Sequence, residues 1–599
     1  MIYHCEDHTC NYWDEGEKLP ERCPQCGRKL LRANEADMTG DDWTALGNTL
    51  WDAEASDKKR MVDCFRKAAY LGSAWGVCNL GICMEQGNGV EADPVQAFWL
   101  YQQAVEMGSL NAVCCLGVCY QYGIGTAPDA KQAAELYCKA AEYGSPRGQM
   151  LLARAFHDGI GVEADAAEAV YWVRAAAYQR YGEGMHRLGV CYAYGDGVEQ
   201  NWERAVHWFR EAAESGVGVA MTDLGYCYEK GCGVEQSWEQ AFSWYRRSAE
   251  CGNPVSMSNL GLCYQMGYGV EQNWQEAIKW YEQGAQCGDL QSMHNLACCY
   301  EGGEGVEQNE DRAFYWYRRS AEGGNGSAMC NLGRCYKRGY GVEQNWQEAV
   351  KWYEQGAQCG NLQSMHNLAC CYEHGEGVEQ NMTEAIRWYT AAAEGGNADD
   401  MYELGWQYDH GEGVEQDMKK AICWYERAAE QNHPAAMNSL GECYAMGRGV
   451  PRDLETAMEW YRRAAELGEA MADYNMGWHL EQAGKLSEAY THYRKAADGN
   501  DDSAWWALGR FYENGVVVAQ DGKEARRCYE TGEKLGSVKC KMRLARCKLL
   551  GIGGRRAKKA GLDLCRQALE LAKESSEKED YGYEAEMNLL RRTIAENES

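Results

Sequence analysis

Residues 273–308 read NWQEAIKWYEQGAQCGDLQSMHNLACCYEGGEGVEQ, and residues 345–380 repeat them almost letter for letter as NWQEAVKWYEQGAQCGNLQSMHNLACCYEHGEGVEQ. Looser copies carry the same Leu-Gly, Leu-Ala or Met-Gly pair, whose first member we call the ruler residue. It occurs at Leu46, Leu80, Leu116, Leu152, Leu188, Leu224, Leu260, Leu296, Leu332, Leu368, Leu404, Leu440, Met476, Leu508 and Leu544. The spacing is 36 residues, except for one step of 34 and one of 32. A fixed period of this size indicates a stack of similar units, and such stacks are usually binding platforms rather than catalysts.

Each copy is predicted to contain two amphipathic helices. Asn273 is a suitable N-cap for the first helix, and Glu276 completes a capping-box pattern. The apolar stripe of this helix, at i, i+3, i+4 and i+7 spacing, is Trp274, Ala277, Ile278, Tyr281 and Ala285. The second helix is predicted from about Gln291 to Gly302, and its stripe is Met293, Leu296, Ala297 and Tyr300. The glycines that follow turn the chain toward the next N-cap at Asn309.

The small residue after each ruler residue, such as Gly261 or Gly333, predicts a place where a neighbouring helix crosses closely. Paired aromatics on the other helix, such as Trp244 and Tyr245, are predicted to fill the gaps between units. One unit alone cannot bury its apolar faces, so its neighbours must do so.

The consensus LGxCYxxGxGVEQNxxxAxxWYxxAAExG resembles the Sel-1-like repeat, a relative of the tetratricopeptide repeat, over about residues 40–560. The resemblance implies an all-α fold: a right-handed α-solenoid of about fifteen two-helix repeats, here preceded by a small zinc-ribbon module. It also implies an adaptor or scaffold that binds other proteins, without specifying one partner.

Residues 1–30 lie outside the repeat and carry Cys5, Cys10, Cys23 and Cys26. Four thiolates from two turns favour one tetrahedral zinc ion in a closed structural site, with iron as the alternative metal. The segment resembles a rubredoxin-like zinc ribbon, but its first pair is spaced Cys-x4-Cys, so His8 competes with Cys10, and His4 is also close.

The domain prediction follows from these two patterns. We expect a metal-binding module over residues 1–30, a linker over 31–40, regular repeats over 41–467, degenerate repeats over 468–560 and a C-terminal helical cap over 561–599.

Ten cysteines follow a ruler residue by three positions, which predicts that each lies on or beside a buried helix face. They are Cys83, Cys119, Cys191, Cys227, Cys263, Cys299, Cys335, Cys371, Cys443 and Cys547. A second cysteine series that could pair with them is missing, so reduced thiols in a reducing compartment are expected. His294 and His366 hold equivalent positions in the two near-identical copies, which duplication explains without a ligand role.

The net charge of −30 and the pI near 4.9 disfavour nucleic acid and anionic membranes and favour basic protein or peptide partners, although solubility alone could explain the charge. No apolar run is long enough to span a bilayer, and the N-terminus has no Sec-type pattern. We therefore expect a cytoplasmic protein, with export as an effector left open. The sequence does not indicate an oligomeric state.

One recurring side chain suggests a binding surface. Asparagine precedes the ruler residue in four successive copies, at Asn259, Asn295, Asn331 and Asn367, and again at Asn79 and Asn475. On the helix that lines the concave face of this class of solenoid, stacked amides could hold an extended peptide backbone. The alternatives are a hydrogen-bonded ladder between adjacent helices, or solvation.

No catalytic template matches, so we expect a non-enzymatic scaffold that captures partner segments in its concave groove. The recurring Gly-x-Gly-Val follows a helix and is expected to be a capping turn rather than a phosphate loop. Two alternatives remain: a hydrolase, because some cysteine-rich Sel-1-like relatives are linked to β-lactam binding, and a zinc-ribbon regulatory protein.

Overall fold

A computed structural model describes residues 2–5, 13–15, 30–33, 35, 38–51, 55–578 and 583–598, and side chains within 35, 38–51, 57–573 and 583–597. These residues form two compact units, Met1–Asn309 and Glu310–Ser599.

The first unit begins with a three-stranded antiparallel sheet of order β2-β1-β3, made of Ile2–Cys5 (β1), Trp13–Glu15 (β2) and Leu30–Ala33 (β3). Fifteen helices follow in the described residues: Gly40–Thr49 (α1), Ala55–Tyr70 (α2), Ala74–Gln86 (α3), Pro94–Glu106 (α4), Leu110–Tyr122 (α5), Ala130–Glu142 (α6), Pro146–Asp158 (α7), Ala166–Tyr178 (α8), Gly182–Tyr194 (α9), Trp202–Glu214 (α10), Gly218–Lys230 (α11), Trp238–Glu250 (α12), Pro254–Met266 (α13), Trp274–Gln286 (α14) and Leu290–Gly302 (α15).

The second unit is helical throughout its described residues. Its helices are Glu310–Glu322 (α16), Gly326–Arg338 (α17), Trp346–Gln358 (α18), Leu362–His374 (α19), Met382–Glu394 (α20), Ala398–His410 (α21), Met418–Glu430 (α22), Pro434–Met446 (α23), Leu454–Glu466 (α24), Ala470–Gln482 (α25), Leu486–Asp498 (α26), Asp502–Asn514 (α27), Gly522–Lys534 (α28), Val538–Leu550 (α29), Lys558–Lys578 (α30) and Glu584–Glu598 (α31).

The copy at residues 273–308 folds as its sequence predicts. Asn273 caps α14 by accepting a hydrogen bond from the backbone N–H of Glu276 at 3.1 Å. The second hydrogen bond of the predicted capping box, from the backbone N–H of Asn273 to the Glu276 carboxylate, does not form, so that part of the prediction is wrong. The Glu276 carboxylate pairs with Lys279 at 3.3 Å instead. Gly303 closes α15 in the left-handed conformation, with φ of 73°. α16 then begins at Glu310, directly after the predicted N-cap at Asn309.

The core repeats from copy to copy. All fifteen ruler residues are buried, none more than 8% exposed. The glycine that follows most ruler residues makes room for an aromatic ring of the next helix: a methyl group on Gly333 would lie 2.5 Å from the ring of Tyr353, and one on Gly261 would lie 2.5 Å from Tyr281. The tyrosine of each Trp-Tyr pair is therefore the core residue, and it packs inside its own repeat.

Ruler helices, the odd-numbered helices α1–α29, form one row of each unit, and the even-numbered helices α2–α30 form the flanking row. Within the units, neighbouring ruler helices pack on one another, as α1 does on α3, α13 on α15, α17 on α19 and α27 on α29. The closest contacts between alternate helices within the units thus involve the ruler row.

The Gly-x-Gly-Val segments are capping turns, as predicted. Gly159 ends α7 with φ of 70°, and Gly161 also has a left-handed φ, of 69°. A methyl group on Gly161 would overlap the carbonyl oxygen of Ala130, the first residue of α6. The second glycine of the motif therefore lets the turn of one repeat rest on the N-terminus of the previous flanking helix.

The ten cysteines that follow the ruler residues are all buried, as predicted. None of the cysteines whose side chains the structure describes is joined in a disulfide. Burial raises the pKa of several of these thiols, for example to about 12 for Cys263 and Cys371, so they pack as small neutral side chains.

Candidate functional site

The asparagines singled out from the sequence lie on the ruler row and are half-buried. In the first unit they are Asn79, Asn259 and Asn295, and in the second Asn331, Asn367 and Asn475. Each precedes a buried ruler residue, so its amide stands at the edge of the apolar stripe. The structure thus places all six on the ruler helices of their units.

Three of these amides donate to the preceding ruler helix. The Nδ2 of Asn79 donates to Asn48 Oδ1 at 2.8 Å. The Nδ2 of Asn367 donates to Cys330 Sγ at 3.3 Å. The Nδ2 of Asn475 donates to Asn438 Oδ1 at 3.0 Å and to a Glu442 oxygen at 3.1 Å. A ladder between adjacent helices therefore exists at these positions. Peptide binding by the asparagines stays a prediction.

An exposed apolar strip accompanies the asparagines in the first unit. It consists of Tyr194 on α9, Tyr226 on α11, and Leu262 and Met266 on α13, which are 74%, 46%, 42% and 51% exposed. These residues stand two or six positions after a ruler residue, on the same helix face as Asn259. Sequence reasoning missed this strip, although its spacing from the ruler residue could have revealed it.

Beside the strip, a groove of about 640 Å³ opens between α7, α8 and α9. Three arginines, Arg147, Arg154 and Arg187, line it together with His157 and three carboxylates, Asp158, Glu183 and Asp196. Arg154 lies 3.4 Å from Asp158 and Arg187 lies 3.7 Å from Asp196, while His157 contacts the same two carboxylates at 2.7 Å and 3.3 Å. The three arginines are thus balanced by the three carboxylates, and the groove carries little net charge in a chain whose net charge is −30.

The predicted metal ligands fall almost entirely outside the described residues. Cys5 is the last residue of β1, but its side chain is not described, and Cys10, Cys23 and Cys26 lie outside the described residues. Across the part of the chain that the structure describes, no group of three or more His, Cys, Asp or Glu side chains is arranged to hold a metal ion. No helix among the described residues is both long and apolar enough to cross a membrane.

Paired helices of nearly constant length, buried ruler residues and glycine-capped turns define a helical-repeat protein in which the ruler helices form one row. The Sel1 repeat model matches residues 76–109, 112–145, 146–181, 182–217, 218–253, 254–289, 290–325, 326–361, 362–397, 398–433, 434–469, 470–501 and 504–537. The chain belongs to the Sel1 repeat family, as its sequence pattern predicted. Solenoids of this kind are typically protein–protein interaction scaffolds without catalytic activity.

Solved members of this family resemble the chain. A protective antigen of uropathogenic Escherichia coli is 32% identical, with 75% of this chain and 97% of the antigen covered and a TM-score of 0.51. A Sel1 repeat protein from Oxalobacter formigenes is 31% identical, with 42% of this chain and 99% of that protein covered and a TM-score of 0.39. No curated protein matches the sequence at a significant level.

Proposed function

We propose that the protein is a non-enzymatic scaffold whose ruler row captures an extended segment of a partner protein. The observation that supports this most is the joint placement of Asn259 and the exposed apolar strip on one face of neighbouring ruler helices. Amides hold a peptide backbone without reading its sequence, while the strip offers sites for apolar side chains of the segment.

The ladder geometry indicates which atom would bind. The amide nitrogens of Asn79, Asn367 and Asn475 donate to the protein itself. In these three the amide oxygen is then the group that can accept a hydrogen bond from a backbone N–H of the segment, while the oxygen of Asn295 already accepts one from Gln291 Nε2 at 2.8 Å. The ladder would hold each amide in one orientation, which reduces the entropy lost on binding.

The net charge of −30 favours a segment with basic residues, because opposite charge speeds association and suppresses acidic competitors. Nearly every repeat contains a buried thiol, which supports the proposal that the protein functions in a reducing compartment such as the cytoplasm.

Two double variants test the asparagine proposal, one for each unit: Asn259→Ala with Asn295→Ala, and Asn331→Ala with Asn367→Ala. Binding to an array of 12-residue peptides of graded charge is measured by fluorescence polarisation. Each lost hydrogen bond should weaken the tightest basic peptides about fivefold, with far-UV helicity unchanged.

The matched control removes amides from the flanking row, with Gln103→Ala, Gln286→Ala and Gln358→Ala, all at exposed positions. This variant should bind as the wild type does. Equal loss in the control and the double variants, or no loss in either double variant, contradicts capture by the ruler row.

We also propose that residues 1–30 form a structural zinc ribbon, with Cys5, Cys23, Cys26 and either Cys10 or His8 as ligands, and with iron as the alternative metal. Support comes from the strand register, in which Cys5 pairs with Leu30, only four positions after Cys26 in the sequence. His4 pairs with Trp13, three positions after Cys10. Zinc would cross-link these turns and stabilise a segment too short for a core of its own.

Metal content of the purified full-length protein checks this second proposal. We expect about one zinc per chain by mass spectrometry of the metal, as one four-ligand site holds one ion. Cys23→Ser with Cys26→Ser should remove it. Cys251→Ser with Cys287→Ser, at exposed repeat positions, is the control and should keep it. A wild-type chain without metal, or a ribbon variant that retains it, refutes the ribbon.

A further inference from the structure

A carboxylate, an imidazole and a thiol stand in line in the second unit. Asp400 Oδ1 on α21 lies 2.7 Å from His366 Nδ1 on α19. The other ring nitrogen, His366 Nε2, lies 3.5 Å from the Sγ of Cys370, one helical turn further along α19. Duplication explains why a histidine occurs at this position, but it does not explain these contacts.

Asp400 occupies a position of the repeat at which the other copies from Leu80 onward have a small residue. Four residues before each other ruler residue from Leu80 onward stand Gly76, Ala112, Gly148, Gly184, Ala220, Ser256, Ser292, Ala328, Ser364, Ala436, Ala472, Ala504 and Cys540. Asp400 is fully buried, and its Oδ2 has no hydrogen-bond partner among the described residues. An ionised carboxylate that is fully buried is unfavourable unless a cation lies against it. The His366 imidazolium is the group that stabilises the ionised Asp400.

The electrostatics favour a protonated His366. Its hydrogen bond to Asp400, followed by the one to Cys370, raises the pKa of His366 to about 10. Burial raises the pKa of Asp400, and the contact with His366 offsets part of that rise. Two further groups lie near this pair, Glu403 and Tyr389. Burial raises the pKa of Glu403.

The thiol is within reach of solvent. Cys370 is partly exposed, and the His366 side chain keeps 27% of its surface. Tyr389 Oη lies 3.4 Å from the Cys370 sulfur and donates to Glu373 at 2.6 Å, which fixes the far side of the cluster. A small reagent can therefore approach the sulfur while the imidazole stays in place.

We propose that Cys370 is an activated nucleophilic thiol whose thiolate form the His366 imidazolium stabilises, with Asp400 as the residue that positions His366. Carboxylate–imidazole–thiol order is the arrangement that activates cysteine in proteins. Cys370 lies inside α19, where neighbouring N–H groups bond within the helix and form no oxyanion hole. The site is therefore one of covalent modification by small electrophiles or peroxides, and not of acyl-transfer catalysis.

With hydrogen peroxide the step balances. The sulfur attacks one peroxide oxygen, the S–O bond forms and the O–O bond breaks. The departing hydroxide takes the proton held by His366 and leaves as water, so Cys370 becomes a sulfenic acid and the peroxide is reduced.

The chain provides its own comparison. The near-identical copy carries His294 and Cys298, whose Nε2 and Sγ are 3.8 Å apart, and Ala328 stands where the repeat has Asp400. Limiting iodoacetamide, followed by mass spectrometry of the peptides, measures both thiols in one sample of the full-length protein. We expect Cys370 to be alkylated about tenfold faster than Cys298, and to be the main sulfenic acid trapped by dimedone after peroxide.

Two variants separate activation from a structural role. Asp400→Asn keeps the shape and Asp400→Ala restores the residue usual at this position, so at least one should fold as judged by far-UV circular dichroism. Between pH 7 and pH 9 the wild-type rate at Cys370 should depend on pH less steeply than the variant rates, because His366, whose pKa is raised to about 10, stays an imidazolium beside the sulfur over this range. In a folded variant the rate at pH 7 should fall about tenfold and rise steeply with pH. Equal rates at Cys370 and Cys298, or a Cys370 rate and pH profile unchanged by the variants, would overturn the proposal.

Discussion

Gly161→Ala should lower the free energy of unfolding by about 3 kcal/mol, since it combines a left-handed backbone with overpacking. Gly161 has φ of 69°, and its added methyl group would overlap the carbonyl oxygen of Ala130. The turn after α7 can then no longer rest on the start of α6. Urea unfolding followed by circular dichroism measures the loss, and hydrogen exchange should locate it in α6 to α8 because repeats depend mainly on their neighbours.

Gly144→Ala is the matched control. Its φ of 81° is also left-handed, but a methyl group there would have no atom within 4 Å among the described residues. It should cost only the backbone penalty, about 1 kcal/mol. Equal losses in the two variants would show that the contact between turn and helix contributes nothing.

Tyr245→Ala should cost about 3–5 kcal/mol, while its neighbour Trp244→Ala should cost about 1 kcal/mol. Tyr245 is 1% exposed, and its ring fills the space left by Gly225. Its hydroxyl also donates to Glu229 at 2.8 Å. Trp244 is half-buried and mainly supports Arg247, whose guanidinium lies 4.3 Å from the centre of the indole ring.

Thermal and urea unfolding of both variants check this order, with Tyr245→Phe as the control that removes only the hydrogen bond, worth about 1 kcal/mol. If Trp244→Ala proves the more damaging change, the assignment of the core to tyrosine is wrong.

Repeat boundaries could be predicted from the sequence because capping chemistry is local. Asn273 caps the start of α14 and Gly303 ends α15, and each does so through the conformational preferences of its own residue type. Residues of the same type at the same positions of other copies therefore predict the same helix ends. The ruler residue and the cysteine three positions later were predictable for the same reason, since helical period alone assigns them to one face.

Other features depend on how neighbouring helices meet. Helical period placed Tyr281, the equivalent of Tyr245 in the next copy, on the apolar stripe, but only the packing shows that the Tyr245 ring fills the space left by Gly225, on another helix. The contact between His366 and Asp400 joins side chains 34 residues apart, and a histidine pattern could not reveal it. One signal was present in the sequence: an aspartate at a position where the other copies from Leu80 onward have Gly, Ala, Ser or Cys.

Hydrogen exchange of the full-length chain, with and without the tightest peptide found by the array, tests the binding surface most directly. If the ruler row binds the peptide, hydrogen exchange should be slower with the peptide than without it along ruler helices such as α11 and α13. Exchange in flanking helices such as α12 should be unchanged. Protection confined to the flanking row, or none in the presence of saturating peptide, would contradict it.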